Sequence, residues 1–299
     1  MFHIGILSPL KDATGKASFM IYLAYDGSLN GDWVARYAIR MASRSPQKKL
    51  VLVHVLDGQI PAERLASKTG NIEAESRTQQ VELIRRTCEP VKKGVFHSLI
   101  QTIPEGRDTI CVCGTRVRSR KKAYLAGTVS AKLLRHHRFK VLAVRVVQPG
   151  MMGNPRNFLM PLAGHPRKFQ AALPFFRLLA PDTEKVYLLR IMSVSSLRYH
   201  SLSLRHTHSL LRSGRAYIDA VAEEIAETFQ PCPFYLDTRV LVSDDWPKEI
   251  LMHANHLKVR MILLGASERT LPARFFYYDN ALERILEQTP CDVGVYRGL

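Results

Sequence analysis

The two halves of this chain repeat one succession of apolar segments, and this repeat constrains the fold more than any other feature. Each half begins with an apolar run and a short turn: residues 20–25 precede Asp26, and residues 158–162 precede Ala163. Three more pairs of apolar runs follow in the same order, namely 50–55 with 186–191, 109–113 with 260–264, and 141–145 with 293–297. The sequence therefore predicts an internal duplication.

The second copy is longer in its middle. Val55 and Ile191 lie 136 positions apart, whereas Gly114 and Gly265 lie 151 positions apart. The additional residues predict one extra-long helix with an apolar stripe at Ile218, Val221, Ala222, Ile225 and Phe229. The first half is shorter here, and residues 73–86 are expected to hold a short helix and part of the third strand.

Strands and helices alternate in both halves. The helical stripes that follow the first run of each half are Val34, Tyr37, Ala38 and Met41, and Phe169, Ala172, Leu173 and Phe176, the second kinked by Pro174. Apolar runs without alternation are typical of strands that are covered on both faces of a parallel sheet. The predicted fold is α/β, with two tandem open parallel five-stranded sheets flanked by helices.

A chain of 299 residues exceeds what one hydrophobic core usually serves. A cluster of Pro and Gly marks a linker between the halves. The predicted division is an N-terminal arm at 1–18, a first domain at 19–148, a linker at 149–155 and a second domain at 156–299.

The positive charge is concentrated in the first half. The formal net charge is +17, and residues 1–150 hold 25 Lys/Arg against 11 Asp/Glu, a difference of +14. Residues 101–150 alone hold 11 against 2. Such an excess favours an anionic partner, which can be a nucleotide phosphate, nucleic acid or an acidic lipid surface; a solvated basic face is the simpler alternative.

The cysteines and histidines predict neither a disulfide framework nor a metal site. The number of cysteines is odd, no C-x-x-C occurs, and Cys111 and Cys113 share one face of an apolar strand. His253 and His256 could share a helix face, but no third ligand is evident nearby. This cysteine usage fits a reducing cytoplasm. No apolar stretch approaches the roughly 20 residues of a membrane span.

Polar and glycine residues follow the strands of the first half where ligands bind in open parallel sheets. Asp26 follows the first strand, and Gly114 ends the fourth. Gly127 and Thr128 open the helix that begins near Val129, with Thr128 as its N-cap, and free N–H groups at a helix start attract anions. The intervening basic loop, residues 116–122, could close over phosphates.

These residues resemble the universal stress protein family. Its ATP-binding members carry G-x2-G-x9-G-[S/T] after the fourth strand, and Gly114, Val117, Gly127 and Thr128 occupy that frame, with Val117 in place of the second glycine. Asp26 matches the family's aspartate after the first strand. Val55, which follows His54, matches the residue whose backbone contacts adenine. The resemblance implies an adenine nucleotide alpha hydrolase-like, Rossmann-like fold, halves that pack as a pseudo-dimer through their final strands, and a chain that can form a homodimer.

The second half departs further from the family pattern. Ala163 stands where the aspartate is expected, and Glu268 stands at the middle glycine. Asp279 and Asn280 replace the closing Gly-Thr. A carboxylate at these positions would repel a phosphate, so one ligand-competent half and one degenerate half are expected.

Three functions remain open from the sequence. The leading one is a stress-response or regulatory binding protein that holds ATP or a related adenine nucleotide in its first domain, through Asp26, Val55, Gly114, Arg116, Val117, Gly127, Thr128 and Val129. No nucleophile with a recognisable base occurs, so catalysis is not predicted and any ATP hydrolysis would be slow. The alternatives are a nucleic-acid or anionic-surface binder that uses the basic first domain, and a structural interaction module in which Val117 fills the pocket.

Overall fold

The computed structural model describes residues 18–115, 124–125, 127–149, 156–162, 166–266 and 281–299. The strands are β1 (Met20–Ala24), β2 (Lys49–Val55), β3 (Glu82–Cys88), β4 (Thr109–Gly114), β5 (Lys140–Arg145), β6 (Asn157–Leu162), β7 (Lys185–Ser193), β8 (Tyr235–Ser243), β9 (Met261–Gly265) and β10 (Asp292–Arg297). The helices are α1 (Leu29–Arg44), α2 (Ala62–Thr78), α3 (Val95–Thr102), α4 (Val129–Arg135), α5 (Leu173–Leu179), α6 (Ser196–Tyr199), α7 (Leu204–Thr228), α8 (Trp246–His256) and α9 (Ala281–Gln288).

The contacts within the chain group it into two compact units. The first contains the described residues up to Gly114, residues 136–141 and Leu299, and the second contains the described residues of 115–135 and 142–298. The predicted arm and linker fall outside the described residues except for Ser18 and Pro149. The domain boundaries therefore stay a prediction.

The first unit is built on parallel strands in the order β3-β2-β1-β4. Ala24 of β1 is paired with Val53 of β2 and with Cys113 of β4, so these strands reach the same edge together. The predicted stripe of α1 is confirmed, because Val34, Tyr37, Ala38 and Met41 are each no more than 2% exposed. Burying such side chains stabilises the fold by about 1.5–3 kcal/mol each for the larger apolar ones.

The expectation that residues 73–86 hold part of the third strand is confirmed, because β3 begins at Glu82, but the expectation of a short helix there is wrong. The structure has a helix of 17 residues, α2, and the third strand begins only at Glu82. The buried face of α2 consists of Leu65, Thr69, Ile72 and Ser76. Since two of these four residues are hydroxyl residues, the helical period was not visible as an apolar stripe.

The second unit contains most of β5, and its strand order is β5-β10-β9-β6-β7-β8. The four strands β8-β7-β6-β9 repeat the permutation β3-β2-β1-β4, which confirms the α/β fold class predicted from the repeat. β5 and β10 are neighbours, as predicted for the final strands, and a Cβ on Gly294 would lie 3.2 Å from Leu142. The side chain of Leu142 can lie this close to β10 because Gly294 has no side chain.

The helices of the second unit follow the sequence closely. α7 has 25 residues, and Ile218, Val221 and Ile225 of the predicted stripe are buried. The segment predicted to kink at Pro174 is interrupted before that residue: a 3-10 turn at Pro166–Ala171 precedes α5, and Pro174 lies in the first turn of α5. Within the described residues, no helix combines the length and the apolarity that a membrane crossing requires.

Candidate functional site

Asp26 is presented at the carboxyl end of β1 by a tight turn. Its Oδ1 accepts hydrogen bonds from the backbone N–H of Ser28 at 2.9 Å and from the Ser28 hydroxyl at 2.7 Å. The Ser28 oxygen in turn accepts from the N–H of Gly31 at 2.9 Å and caps α1. Gly27 has φ +73°, and a Cβ on Gly31 would lie 2.5 Å from Asp26 Oδ1. The two glycines therefore let an exposed carboxylate lie against the first turn of α1.

A second acidic residue of α1 is committed to internal contacts. The buried Tyr25 donates its hydroxyl hydrogen to Asp32, and Lys68 of α2 forms an ion pair with the same carboxylate. Burial raises the pKa of Tyr25, and the hydrogen bond to Asp32 raises it further. Asp32 thus joins β1 to α2 and is occupied by protein groups.

His54 and Val55 lie at the end of β2, beside the end of β1. His54 is buried, and its Nδ1 lies 2.9 Å from the carbonyl oxygen of Tyr25. The carbonyl oxygen of Val55 accepts a hydrogen bond from the N–H of Asp57 at 2.8 Å. Tyr25 is the residue just before Asp26. His54 therefore aligns the ends of the two strands at which the sequence predicts adenine and ribose contacts.

Gly114 at the end of β4 is in close contact with α1. A Cβ at this position would lie 2.6 Å from Nδ2 of Asn30 and 3.6 Å from Val34. The absence of a side chain at Gly114 lets the amide of Asn30 approach the strand end. Asp26, Val55 and Gly114 are thus all in the first unit, at the ends of β1, β2 and β4.

Gly127, Thr128 and Val129 belong to the second unit, where the predicted N-cap is present. Thr128 Oγ1 accepts from the N–H of Ala131 at 3.1 Å, and the N–H of Thr128 itself donates to the carbonyl of Leu125 at 3.0 Å. Gly127 has φ +72°. The N–H of Thr128 is therefore engaged, and an anion at this helix start would use its neighbours. Arg116, Val117 and the rest of the basic loop lie outside the described residues.

The segment before α4 is held by a carboxylate that the sequence did not indicate. Glu283 in the first turn of α9 accepts from the N–H of Tyr124 through Oε2 and from the N–H of Leu125 through Oε1, each at 2.8 Å. The Glu283 side chain is buried, and Arg145 stacks on the ring of Tyr124 at 4.1 Å. This anchor, within the second unit, positions the chain that leads into Gly127.

The strand ends of the second half are occupied by large side chains. Arg190 of β7 donates to the carbonyl of Leu162 at the end of β6, at 3.0 Å, and stacks on Tyr217. Tyr296 places its hydroxyl 3.1 Å from where a Cβ of Gly265 would lie. The room that a ligand would need at these strand ends is thus partly filled by protein. Ala163, Glu268, Asp279 and Asn280 lie outside the described residues.

The described residues contain no group of three or more His, Cys, Asp or Glu side chains that could hold a metal ion. An open groove of about 520 Å³ lies along β8, lined in part by Arg215, Thr238 and His253. No local sequence pattern indicates this groove, because its lining comes from three separate elements. It is remote in the chain from Asp26 and Gly114.

The arrangement defines a class of protein, an open parallel α/β protein with polar and glycine residues at the carboxyl ends of its strands. Residues 20–145 match the sequence model of the universal stress protein family. No curated protein sequence matches the chain.

Solved structures share the fold over nearly the whole chain. A universal stress protein from Archaeoglobus fulgidus has a TM-score of 0.57 at 14% identity, over 94% of this chain and 98% of its own. The cytoplasmic domain of a prokaryotic cation chloride cotransporter has a TM-score of 0.57 at 9% identity, over 94% of this chain and 95% of its own. At these identities the similarity concerns the fold alone.

Proposed function

We propose that the first domain binds one adenine nucleotide, with ATP as the expected ligand, and that the chain is a stress-response or regulatory binding protein of the cytoplasm. The observation that carries the proposal is the exposed carboxylate of Asp26, which Ser28 holds at the carboxyl end of β1. Ligands of open parallel sheets bind at this edge. A carboxylate there is a suitable acceptor for ribose hydroxyl groups.

The remaining contacts of the proposed site follow from the family frame. The backbone of Val55 would contact adenine, and Gly114 would allow the nucleotide to approach the end of β4. The phosphates would lie at the N–H groups around Gly127 and Val129, with Arg116 supplying positive charge. Val117 would narrow this site, because valine tolerates close backbone approach less well than glycine.

The proposed role is binding, with hydrolysis slow at most. The acidic residues next to Asp26 include Asp32, whose carboxylate is already engaged by Tyr25 and Lys68. A general base must reach the attacking water with a free acceptor. A regulatory protein that responds to nucleotide concentration needs affinity at this site and no turnover.

Isothermal titration calorimetry with ATP tests the proposal. The wild type should bind one ATP per chain, and Asp26→Ala should weaken binding by about 1–3 kcal/mol, the range for a lost hydrogen bond to a charged group. Asp26→Asn keeps an acceptor oxygen and should lose less. The matched control is Asp244→Ala, which removes an exposed aspartate from the second half. A stoichiometry of two, or equal affinity for Asp26→Ala and wild type, would overturn the assignment.

The charge of +14 in the first half supports a second candidate, binding of nucleic acid or another anionic surface. Neutralising Arg118, Arg120 and Lys121 should weaken ATP binding steeply if these residues hold phosphates. Thermal stability should change little, because exposed charges contribute little to folding. Unchanged ATP affinity together with lost binding to a DNA duplex would favour the second candidate.

A further inference from the structure

The long helix α7 packs against its sheet over only part of its length. Its buried residues are Gly214, Ile218, Val221 and Ile225, and none of the ten residues 204–213 is buried. At 1.5 Å per residue these ten residues extend the helix by about 15 Å. The short helix α6 just before it has no buried residue either. Residues 196–213 comprise α6, the turn after it and the first ten residues of α7, and none of them is buried; we name them the α6–α7 segment.

Gly214 marks the point at which α7 leaves the protein interior. A Cβ there would lie 2.5 Å from Val240 of β8 and 3.1 Å from the sulfur of Met192 of β7. The helix thus makes its close contact with both strands at this residue. Toward the N-terminus the same helix face continues through Leu211 to Leu204, because residues seven apart lie on one face. The apolar stripe that packs on the sheet therefore continues into a stretch of α7 where, among the described residues, no side chain is buried.

The α6–α7 segment repeats a Leu-Arg pair every seven residues: Leu197-Arg198, Leu204-Arg205 and Leu211-Arg212. Leu197 is 90% exposed and Leu204 is 80% exposed. The face of a helix that meets water is usually polar. Two nearly fully exposed leucines on adjoining helices therefore require a different explanation. Each leucine is directly followed by an arginine that can remain in the polar phase when the leucine leaves water.

The charged residues close to these leucines in the sequence are all cationic. No Asp or Glu occurs between Glu184 and Asp219, while Arg198, Arg205 and Arg212 lie inside the α6–α7 segment. Exposed apolar side chains beside a purely cationic polar face are the features of helices that lie in the interface of anionic membranes. A nucleic acid would use the arginines but would leave Leu197 and Leu204 in water.

We propose that the α6–α7 segment docks the protein on an anionic lipid bilayer, with Leu197 and Leu204 inserted among the acyl chains and the three arginines at the headgroups. The α6–α7 segment contains none of the residues of the proposed nucleotide site. Binding requires both the apolar and the cationic residues, since a small apolar contact alone gives only marginal attachment.

Flotation of the full chain with vesicles tests the proposal. Wild type should float with vesicles of phosphatidylcholine containing 30% phosphatidylserine, and not with phosphatidylcholine alone. Each arginine contributes about fivefold in affinity near an anionic surface, so Arg198→Gln/Arg205→Gln/Arg212→Gln should bind about a hundredfold more weakly. Leu197→Ser/Leu204→Ser should bind more than about a hundredfold more weakly at unchanged net charge.

A matched control removes the same charge elsewhere. Arg64, Lys92 and Lys93 are exposed residues of the first unit, and their triple glutamine variant should float like wild type. Equal loss of flotation in this control would mean that net charge alone is responsible and would overturn the proposal. Full flotation of the Leu197→Ser/Leu204→Ser variant would do the same. The proposal is also overturned if wild type fails to float and the α6–α7 segment instead binds a 30-base-pair DNA duplex through its arginines, with no dependence on the leucines.

Discussion

Replacing Glu283 with alanine is expected to destabilise the second unit strongly. Glu283 is 9% exposed, and its carboxylate accepts two backbone hydrogen bonds of 2.8 Å, from Tyr124 and Leu125. Leaving a buried donor without its charged acceptor costs about 1–3 kcal/mol, so two donors give about 2–6 kcal/mol for the variant. Glu283 is also in the first turn of α9, where an acidic residue contributes about 0.3–1 kcal/mol through the helix dipole. A loss of this size is a large fraction of the stability of a typical domain.

Urea denaturation and amide hydrogen exchange measure the two parts of this prediction. Glu283→Ala should unfold at a lower urea concentration, and Glu283→Gln should fall between it and wild type because its amide oxygen still accepts one bond. The N–H groups of Tyr124 and Leu125 should exchange faster in both variants. Glu227→Ala is the matched control, since Glu227 is exposed on α7. Its unfolding midpoint should stay within experimental error of wild type.

The reasoning is refuted if Glu283→Ala and Glu227→Ala unfold at the same urea concentration. It is also refuted if the exchange of Tyr124 and Leu125 stays as slow as in wild type. Either result would mean that other groups, or water, satisfy these donors without cost.

Three further outcomes follow from the packing and the buried thiols. Gly114→Ala should lower the unfolding free energy by about 1–3 kcal/mol, because the new Cβ would lie 2.6 Å from Asn30 Nδ2, and Asn30→Ala in the same chain should restore part of it. Under native conditions Ellman's reagent should modify the exposed Cys232 quickly and the buried Cys111 and Cys291 only after unfolding. Burial raises the pKa of Cys111 and of Cys291 from 9.0 to about 12, so the folded state keeps these protons longer than the unfolded chain. Their contribution to stability should be complete below about pH 9 and be lost as the pH rises toward 12, and urea midpoints across that range should fall less steeply when both are replaced by alanine.

The fold could be predicted from the sequence because it depends on apolar patterns, and the duplication makes each pattern occur twice. The stripe of α1 and the length of α7 were predicted from spacing alone and are confirmed. The extent of α2 was not predicted, because Thr69 and Ser76 occupy buried positions that a search for apolar residues does not detect. Local patterns succeed where burial and hydrophobicity coincide.

The candidate site was accessible only in part, for a different reason. The N-cap role of Thr128 was predicted from its place before a helix, and Thr128 Oγ1 does accept from Ala131. The anchor at Glu283 joins residues about 160 positions apart in the sequence, and a single glutamate in the first turn of a helix does not reveal such a partner. Contacts of this kind depend on tertiary structure and leave no local pattern.

The two halves keep one structural feature while their strand ends diverge. His54 of β2 contacts the carbonyl of Tyr25, and at the corresponding positions Arg190 of β7 contacts the carbonyl of Leu162. Either side chain joins the second strand of its half to the end of the first, so the structural requirement is the same in both copies. Arginine is larger, however, and reaches further into the space at the strand ends, where it stacks on Tyr217. A substitution that preserves the strand-end contact therefore also fills space in the second half, and this gives a physical reason to expect one nucleotide for each chain.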